Sequence, residues 1–197
     1  MKGEIIPSEE KVFSIFEEHT EWISKGKRSP ELGNMMMITT NQYQLIMDYK
    51  IMYKEKDASQ IIPLLERLKD NYPNQIIDSL STDKGFYSKT NFESCVTAGI
   101  KKTVMPKKGK CNKEEYAREH EHGFIKLRNK HSAVESNINM LEHHGLNRCM
   151  DKGKFHFERY VSLSVLAYNL HVIGNELVKR RKIKQEKEKL KFYKQVA

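Results

Sequence analysis

Cysteine is scarce in this 197-residue chain, which has only Cys95, Cys111 and Cys149. An odd number, widely spaced and with no C-x-x-C pair, is neither a disulfide framework nor a zinc signature. Free thiols suit a reducing cytosol, so the expected localisation is cytoplasmic. The first residues, MKGEIIPSEEK, lack the apolar stretch of a secretory signal. Long hydrophobic runs are missing too. The nearest approach, VSLSVLAYNLHVIGNELV, is interrupted by Ser162, Ser164, Asn169, His171, Asn175 and Glu176. It falls short of the roughly 18 unbroken apolar residues of a membrane span. It is expected as a buried core helix, with no membrane partner. No internal repeat is present, which excludes a solenoid or array.

Acid is in deficit. The chain has 35 Lys and Arg against 26 Asp and Glu, for a net charge of +9. A protein this basic is a candidate for nucleic acid, because its cations release counterions condensed on phosphates. General solubility or an acidic partner is the blander reading. Hydrophobic residues make up 38% and charged residues 31%, enough for one core under a heavily charged surface.

The apolar pattern sets the expected elements. Lys11 to Phe16, KVFSIF, reads as a short strand closed by Glu17 and Glu18. SKGKRSPELGN is a connection. MMMITT, from Met35, and QLIMDYKIMY, ending at Tyr53, read as two strands around a turn at Asn41 and Gln42. Asp57 is a plausible N-cap for a helix carrying Ile61, Ile62, Leu64, Leu65 and Leu68, bent by Pro63. A short run, IIDSL, ends at Asp83. A helix is expected over Lys89 to Ala98, stopped by Gly99, and a strand over Ile100 to Met105, stopped by Pro106. A long helical region from Lys113 toward Gly145, interrupted near Gly123, precedes a last helix from about Phe155. Strands first, then alternating strands and helices, predict a mixed α/β sheet flanked by helices.

Two acids stand out. Asp83 follows an apolar run and precedes Gly85, where a carboxylate is either a turn former or a metal ligand. On a helix of about 100° per residue, Arg128, His131, Glu135, Asn139 and Glu142 share a stripe beside Leu127, Val134, Ile138 and Leu141. That stripe lies at the edge of a core-facing surface, where Glu135 can be held and still meet a ligand. The alternative is a solvated face on which Arg128 and His131 pair with Glu135.

The segments TDKGFYSKTN, VMPKKGK, RNKHSAVESNINMLEHHGLNRC and RYVSLSVLAYNLHVIG, in that order, resemble the catalytic region of DDE-type insertion-sequence transposases of the ISNCY-type group. SIFEEHTEWISKGKRSPELG resembles the segment leading into it, so the likeness runs from about Lys11 to Lys179. The resemblance implies a ribonuclease H-like α/β fold with a C-terminal helix and acids on the first strand, after the fourth strand and on a late helix. By motif, Asp83 is the second acid and Glu135 the last, 52 residues further on. Glu17 is the first, with Glu18 and Glu21 as rivals. The three acids would hold two Mg²⁺ (or Mn²⁺) ions that serve phosphodiester cleavage and strand transfer. The implied partner is double-stranded DNA, both transposon ends and target, with a homo-oligomer assembled on it.

The sequence departs from that pattern in places. Glu17 stands where aspartate is usual. Arg128 and His131 take places often held by Tyr and Arg, and Glu142 one held by Lys. Such enzymes are usually longer and carry a helix-turn-helix. This chain therefore reads as a catalytic fragment, 1–178, with a basic helical tail, 179–197. Its rivals are an inactive, truncated DNA-binding remnant and a ribonuclease H-like nuclease without transposition. Lys101, Lys102, Lys107, Lys108 and Lys110, with Arg128 and His131, are the expected DNA contacts. The tail from Lys179 to Lys194 has nine basic and two acidic residues, and either follows DNA or frays.

Overall fold

The computed structural model describes residues 7, 10–24 and 29–196, with side chains described as far as Lys189. Residues 25–28 of the expected connection and residue 197 lie outside the described residues. Two compact units are present: Met1–Thr39 with Met47–Ser136, and Thr40–Ile46 with Asn137–Ala197.

The first unit starts with a departure from expectation. KVFSIF does not form a strand. The Ser14 hydroxyl accepts hydrogen bonds from the amides of Phe16 and Glu17 and turns the chain instead. Val12, Ile15 and Phe16 remain exposed, so the alternation in this stretch has no sheet face to cover. The first strand is β1, Glu21–Ile23, antiparallel to β2, Glu31–Gly33, with Trp22 opposite Leu32. β3, Met35–Thr40, pairs with β4, Ile46–Met52. The turn between them is closed by Asn41, whose amide donates to the Leu45 carbonyl and whose side chain accepts from the amides of Tyr43 and Leu45. The alternation along β4 buries Met52 and Asp48. The Asp48 carboxylate is held by Arg67, whose Nη2 lies 2.7 Å from it.

Asp57 is the first residue of a short 3-10 turn, Asp57–Ser59, and the N-cap position of the helix that follows is taken by Gln60 instead. The helix α1, Ile61–Asn71, begins after it. Pro63 therefore falls in the first turn, where a missing amide costs nothing and no bend is needed. β5, Ser79–Ser81, leads through the turn Lys84–Phe86 into α2, Lys89–Thr97, and back to β6, Lys102–Val104. β5 and β6 are parallel, Leu80 facing Thr103. Ser88 caps α2 by accepting from the Asn91 amide, and Gly99, at φ +82°, ends it.

Two apolar clusters hold this unit together. Ile61, Leu80, Cys95, Ile100 and Met105 form one; Met37, Met52, Leu64 and Leu68 form the other. Ile77 and Phe86 pack against both. The core is thus α1 and α2 against the β5–β6 ladder, joined to the β3–β4 pair.

The long helical region breaks more often than the pattern predicts. α3, Lys113–Glu119, starts with a reciprocal cap between Asn112 and Glu115. α4, His122–His131, lies against β5 and β6. It stops at Ser132, and α5, Ala133–Leu141, restarts the helix. The single expected sheet is also replaced. Among the described residues there are three separate two-stranded ladders. Four of their strands are only three residues long.

In the second unit a wide turn, Glu142–Leu146, leads to α6, Lys154–Val196. Gly145 takes φ +103° there, a conformation that suits glycine. The Tyr160 hydroxyl donates to the Gly145 carbonyl at 2.8 Å. The Tyr168 hydroxyl donates to the Gln44 carbonyl, and the Asn169 amide group bonds both backbone groups of Ile46. α6 is not the wholly buried helix the apolar run suggests. Val161, Ser164, Val165 and Tyr168 are buried, whereas Leu163, Leu166, Leu170, Ile173 and Leu177 are exposed.

Candidate active site

Asp83 stands just beyond the C-terminal end of β5, the edge of a parallel ladder at which open α/β sheets place ligands. The ladder fixes the backbone up to this point, because the Thr82 amide donates to the Val104 carbonyl. The Asp83 carbonyl then accepts from the Phe86 amide at 3.2 Å, which tightens the turn that follows. Its side chain caps nothing. The carboxylate is free to face outward and is 80% exposed.

The group it meets comes from α4. Nε2 of His131, the last residue of that helix, lies 3.3 Å from Oδ1 of Asp83. When the imidazole is protonated this is an ion pair; when neutral, Nε2 donates if it carries the hydrogen. His131 is the more covered partner, at 23% exposure. Glu135 follows four residues later, in the first turn of α5. Its amide donates to the Ser132 carbonyl across the helix break. A carboxylate in a first turn is favoured by the unpaired amides there. Glu135 and Arg128 are both exposed.

The early acids have other partners. The Glu17 carboxylate lies 3.5 Å from Nδ1 of His19, and Glu17 sits in a turn rather than at a strand end. Glu18 is exposed. Glu21, within β1, accepts from the Lys54 amide. Among the described residues, no group of three His, Cys, Asp or Glu side chains is disposed to hold a metal ion. Glu17, Asp83 and Glu135 accordingly form no such group as placed.

A carboxylate the apolar pattern reads only as a helix cap comes close to this turn. A side-chain carbon added at Gly85 would stand 2.6 Å from Oδ2 of Asp57. Gly85 thus leaves room for Asp57 two residues from Asp83. The glycine after the acid was visible in sequence; the second carboxylate against it was not.

The basic positions divide by environment. Lys102, Lys108 and Lys110 are exposed. Lys101, also exposed, lies 3.3 Å from Asp78. Lys107 is engaged: Nζ lies 2.7 Å from the Glu115 carboxylate and 6.0 Å from the centre of the Tyr87 ring, and Glu115 also accepts from the Tyr87 hydroxyl. Lys107, followed by the Asn112 amide and the Tyr87 hydroxyl, holds the Glu115 carboxyl down at about 2. The same contact raises the Lys107 ammonium above its ordinary value. Sequence spacing placed Lys107 with the free lysines, because its partner is a helix cap eight residues away.

A family model described as the transposase DDE domain matches residues 7–170. The chain belongs to that family, whose members act in transposition, bind DNA and generally use divalent metal ions. No curated protein and no solved structure matches the chain. Among the described residues, no helix is long and apolar enough to cross a membrane.

Proposed function

We propose that residues 1–178 are the catalytic domain of a transposase of the ISNCY-type group, with a ribonuclease H-like core and a basic helical tail over 179–197. The reaction is metal-dependent phosphodiester cleavage and strand transfer. Asp83, Glu135 and Glu17 are its acids, with Glu18 and Glu21 as rivals for the first. Mg²⁺ or Mn²⁺ supplies charge neutralisation at the reacting phosphate when bound. The partner is double-stranded DNA at transposon ends and target, met in the cytoplasm by a homo-oligomer.

One observation carries this reading: the Asp83–His131 contact. It brings the acid at the end of β5 to His131, four residues before Glu135 in the chain. The chain's own groups then have distinct tasks. His131 holds the Asp83 carboxylate against α4. Lys102, Lys108 and Lys110, with Lys101 and Arg128, offer cations to DNA phosphates, positioning the duplex without reading bases. Lys107 contributes less, because Glu115 already neutralises it.

A second reading, an inactive DNA-binding remnant, is favoured by the separation of the acids. Plasmid cleavage in Mg²⁺ by the unaltered chain, Asp83→Ala and Glu135→Ala separates the two. The catalytic reading expects cleavage that both substitutions abolish. Equal cleavage by all three proteins overturns it. DNA binding without cleavage by the unaltered chain establishes the remnant.

A further inference from the structure

α6 has two faces of opposite character. With about 100° of rotation per residue, Val161, Ser164, Val165 and Tyr168 point to one side and Leu163, Leu166, Leu170, Ile173 and Leu177 to the other. The first set is buried; the second is between 45% and 60% exposed. The exposed five are spaced three, four, three and four residues apart. That is the a/d pattern of a coiled-coil seam, narrower than the stripe of a helix that packs on a globular core.

We propose that this face is the seam of a parallel, in-register pairing with a second copy of the chain. Leu163, Leu170 and Leu177 take the a positions, and Leu166 and Ile173 the d positions. Three features select a second copy running the same way. First, the positions flanking the seam are complementary in charge across a parallel pair. Glu176, at g, faces Arg181, at e, of the other helix, and the two-fold axis makes this contact twice. Within one chain Glu176 bonds Arg180 at 2.7 Å. Its carboxylate has lone pairs for both cations. Second, the other e positions are Ala167 and Gly174. Small side chains there let a second backbone approach. Third, an in-register parallel pair stacks all five apolar layers, whereas an antiparallel pair joining a to d leaves Leu177 without a layer.

The register also explains where the seam ends. Continued past Leu177, it passes through Arg180, Lys184 and Lys187. Like charges then face each other and the two helices diverge. Continued backward, it meets Arg159, whose guanidinium is drawn to Asp151 at 2.8 Å. The pairing is therefore confined to 163–177, with two basic helices leaving it side by side. This inference does not depend on catalysis, and it holds for an active enzyme or a remnant alike.

Sedimentation of the full chain over a range of concentrations is the test. Five half-exposed residues on each copy bury roughly 1,000 Å², so a dimer is expected at about 100 µM and a monomer at about 1 µM. Leu170→Asp, at an exposed position, should shift that midpoint at least tenfold with unchanged helical circular dichroism. A chain that stays monomeric at about 100 µM overturns the proposal, as does a dimer indifferent to Leu170→Asp. Orientation is read by Leu163→Cys in a Cys111→Ser, Cys149→Ser background. A parallel pair forms a disulfide between the two new cysteines under mild oxidation, and a dimer that does not cross-link there overturns the parallel register.

Discussion

Nε2 of His131 lies 3.3 Å from Oδ1 of Asp83, and this contact ties the turn after β5 to the end of α4. With the aspartate 80% exposed, the pair contributes little to folding, on the order of 1 kcal/mol or less. Its use is positional. His131→Ala should leave urea unfolding within about 1 kcal/mol of the unaltered chain. Mg²⁺-dependent cleavage should fall by about tenfold or more, equivalent to about 1.4 kcal/mol. His131→Gln, which keeps a donor, should recover part of that loss. A destabilisation well beyond 1 kcal/mol would show that the contact is structural.

The Asp48–Arg67 pair is of another kind. Asp48 is buried in β4, and the Nε and Nη2 groups of Arg67 on α1 both donate to it. Arg67→Ala leaves a buried carboxylate without its cation and should cost about 2–4 kcal/mol, the upper end being reduced by Arg67's partial exposure. Joint replacement by Asp48→Leu and Arg67→Met should recover much of the loss. Equilibrium urea denaturation of the unaltered chain and the two variants measures this. A loss under about 1 kcal/mol for Arg67→Ala would mean the pair is already screened by water.

Acid should act on the Glu115–Lys107 contact. Lys107 first, then the Asn112 amide, lower the Glu115 carboxyl from its ordinary 4.5 to about 2. A depressed folded value means stability that is complete above pH 4.5 and lost as pH falls toward about 2. The raised Lys107 value has the opposite sense: its contribution is full below 10.5 and disappears as pH climbs through the folded value. In Lys107→Met, the Glu115 carboxyl should titrate closer to its ordinary value by NMR. An unchanged titration would assign the depression to the Asn112 amide and the Tyr87 hydroxyl.

Gly85 and Asp57 should be coupled. A methyl group at Gly85 would stand 2.6 Å from Oδ2 of Asp57, so Gly85→Ala forces that carboxylate aside. In a double-mutant cycle, Asp57→Ala should relieve the cost of Gly85→Ala by at least about 0.5 kcal/mol. Strictly additive losses would show that Asp57 rotates away freely.

Much of the local structure is legible in the residues. Ser88 three places before Asn91, with Gly99 at the other end, delimits α2. Asn112 and Glu115 mark the start of α3, and the apolar stretches of β3 and β4 mark the strands. These signals work because each is completed within a few residues: a hydroxyl finds an amide, or a glycine adopts φ +82°. KVFSIF carries the same kind of strand signal and fails. A strand needs a neighbour to take its backbone hydrogen bonds, and the nearest acceptor here was its own Ser14 hydroxyl. The long helix fails for a related reason. Nothing in HSAVES interrupts a helical pattern, yet α4 ends at Ser132, where His131 reaches the turn after β5.

Composition and motif alone determined the basic character of this protein, its family and the identity of its candidate acids, because charge and residue type are properties of the chain itself. What each of those acids meets was decided only by the tertiary structure. Asp83 and His131 are far apart in sequence, and their approach depends on α4 lying against β5 and β6. The same holds for α6. The spacing of its leucines is written in the chain, but which side is buried depends on the segments that Tyr160, Tyr168 and Asn169 bond, and those contacts leave the opposite side to water.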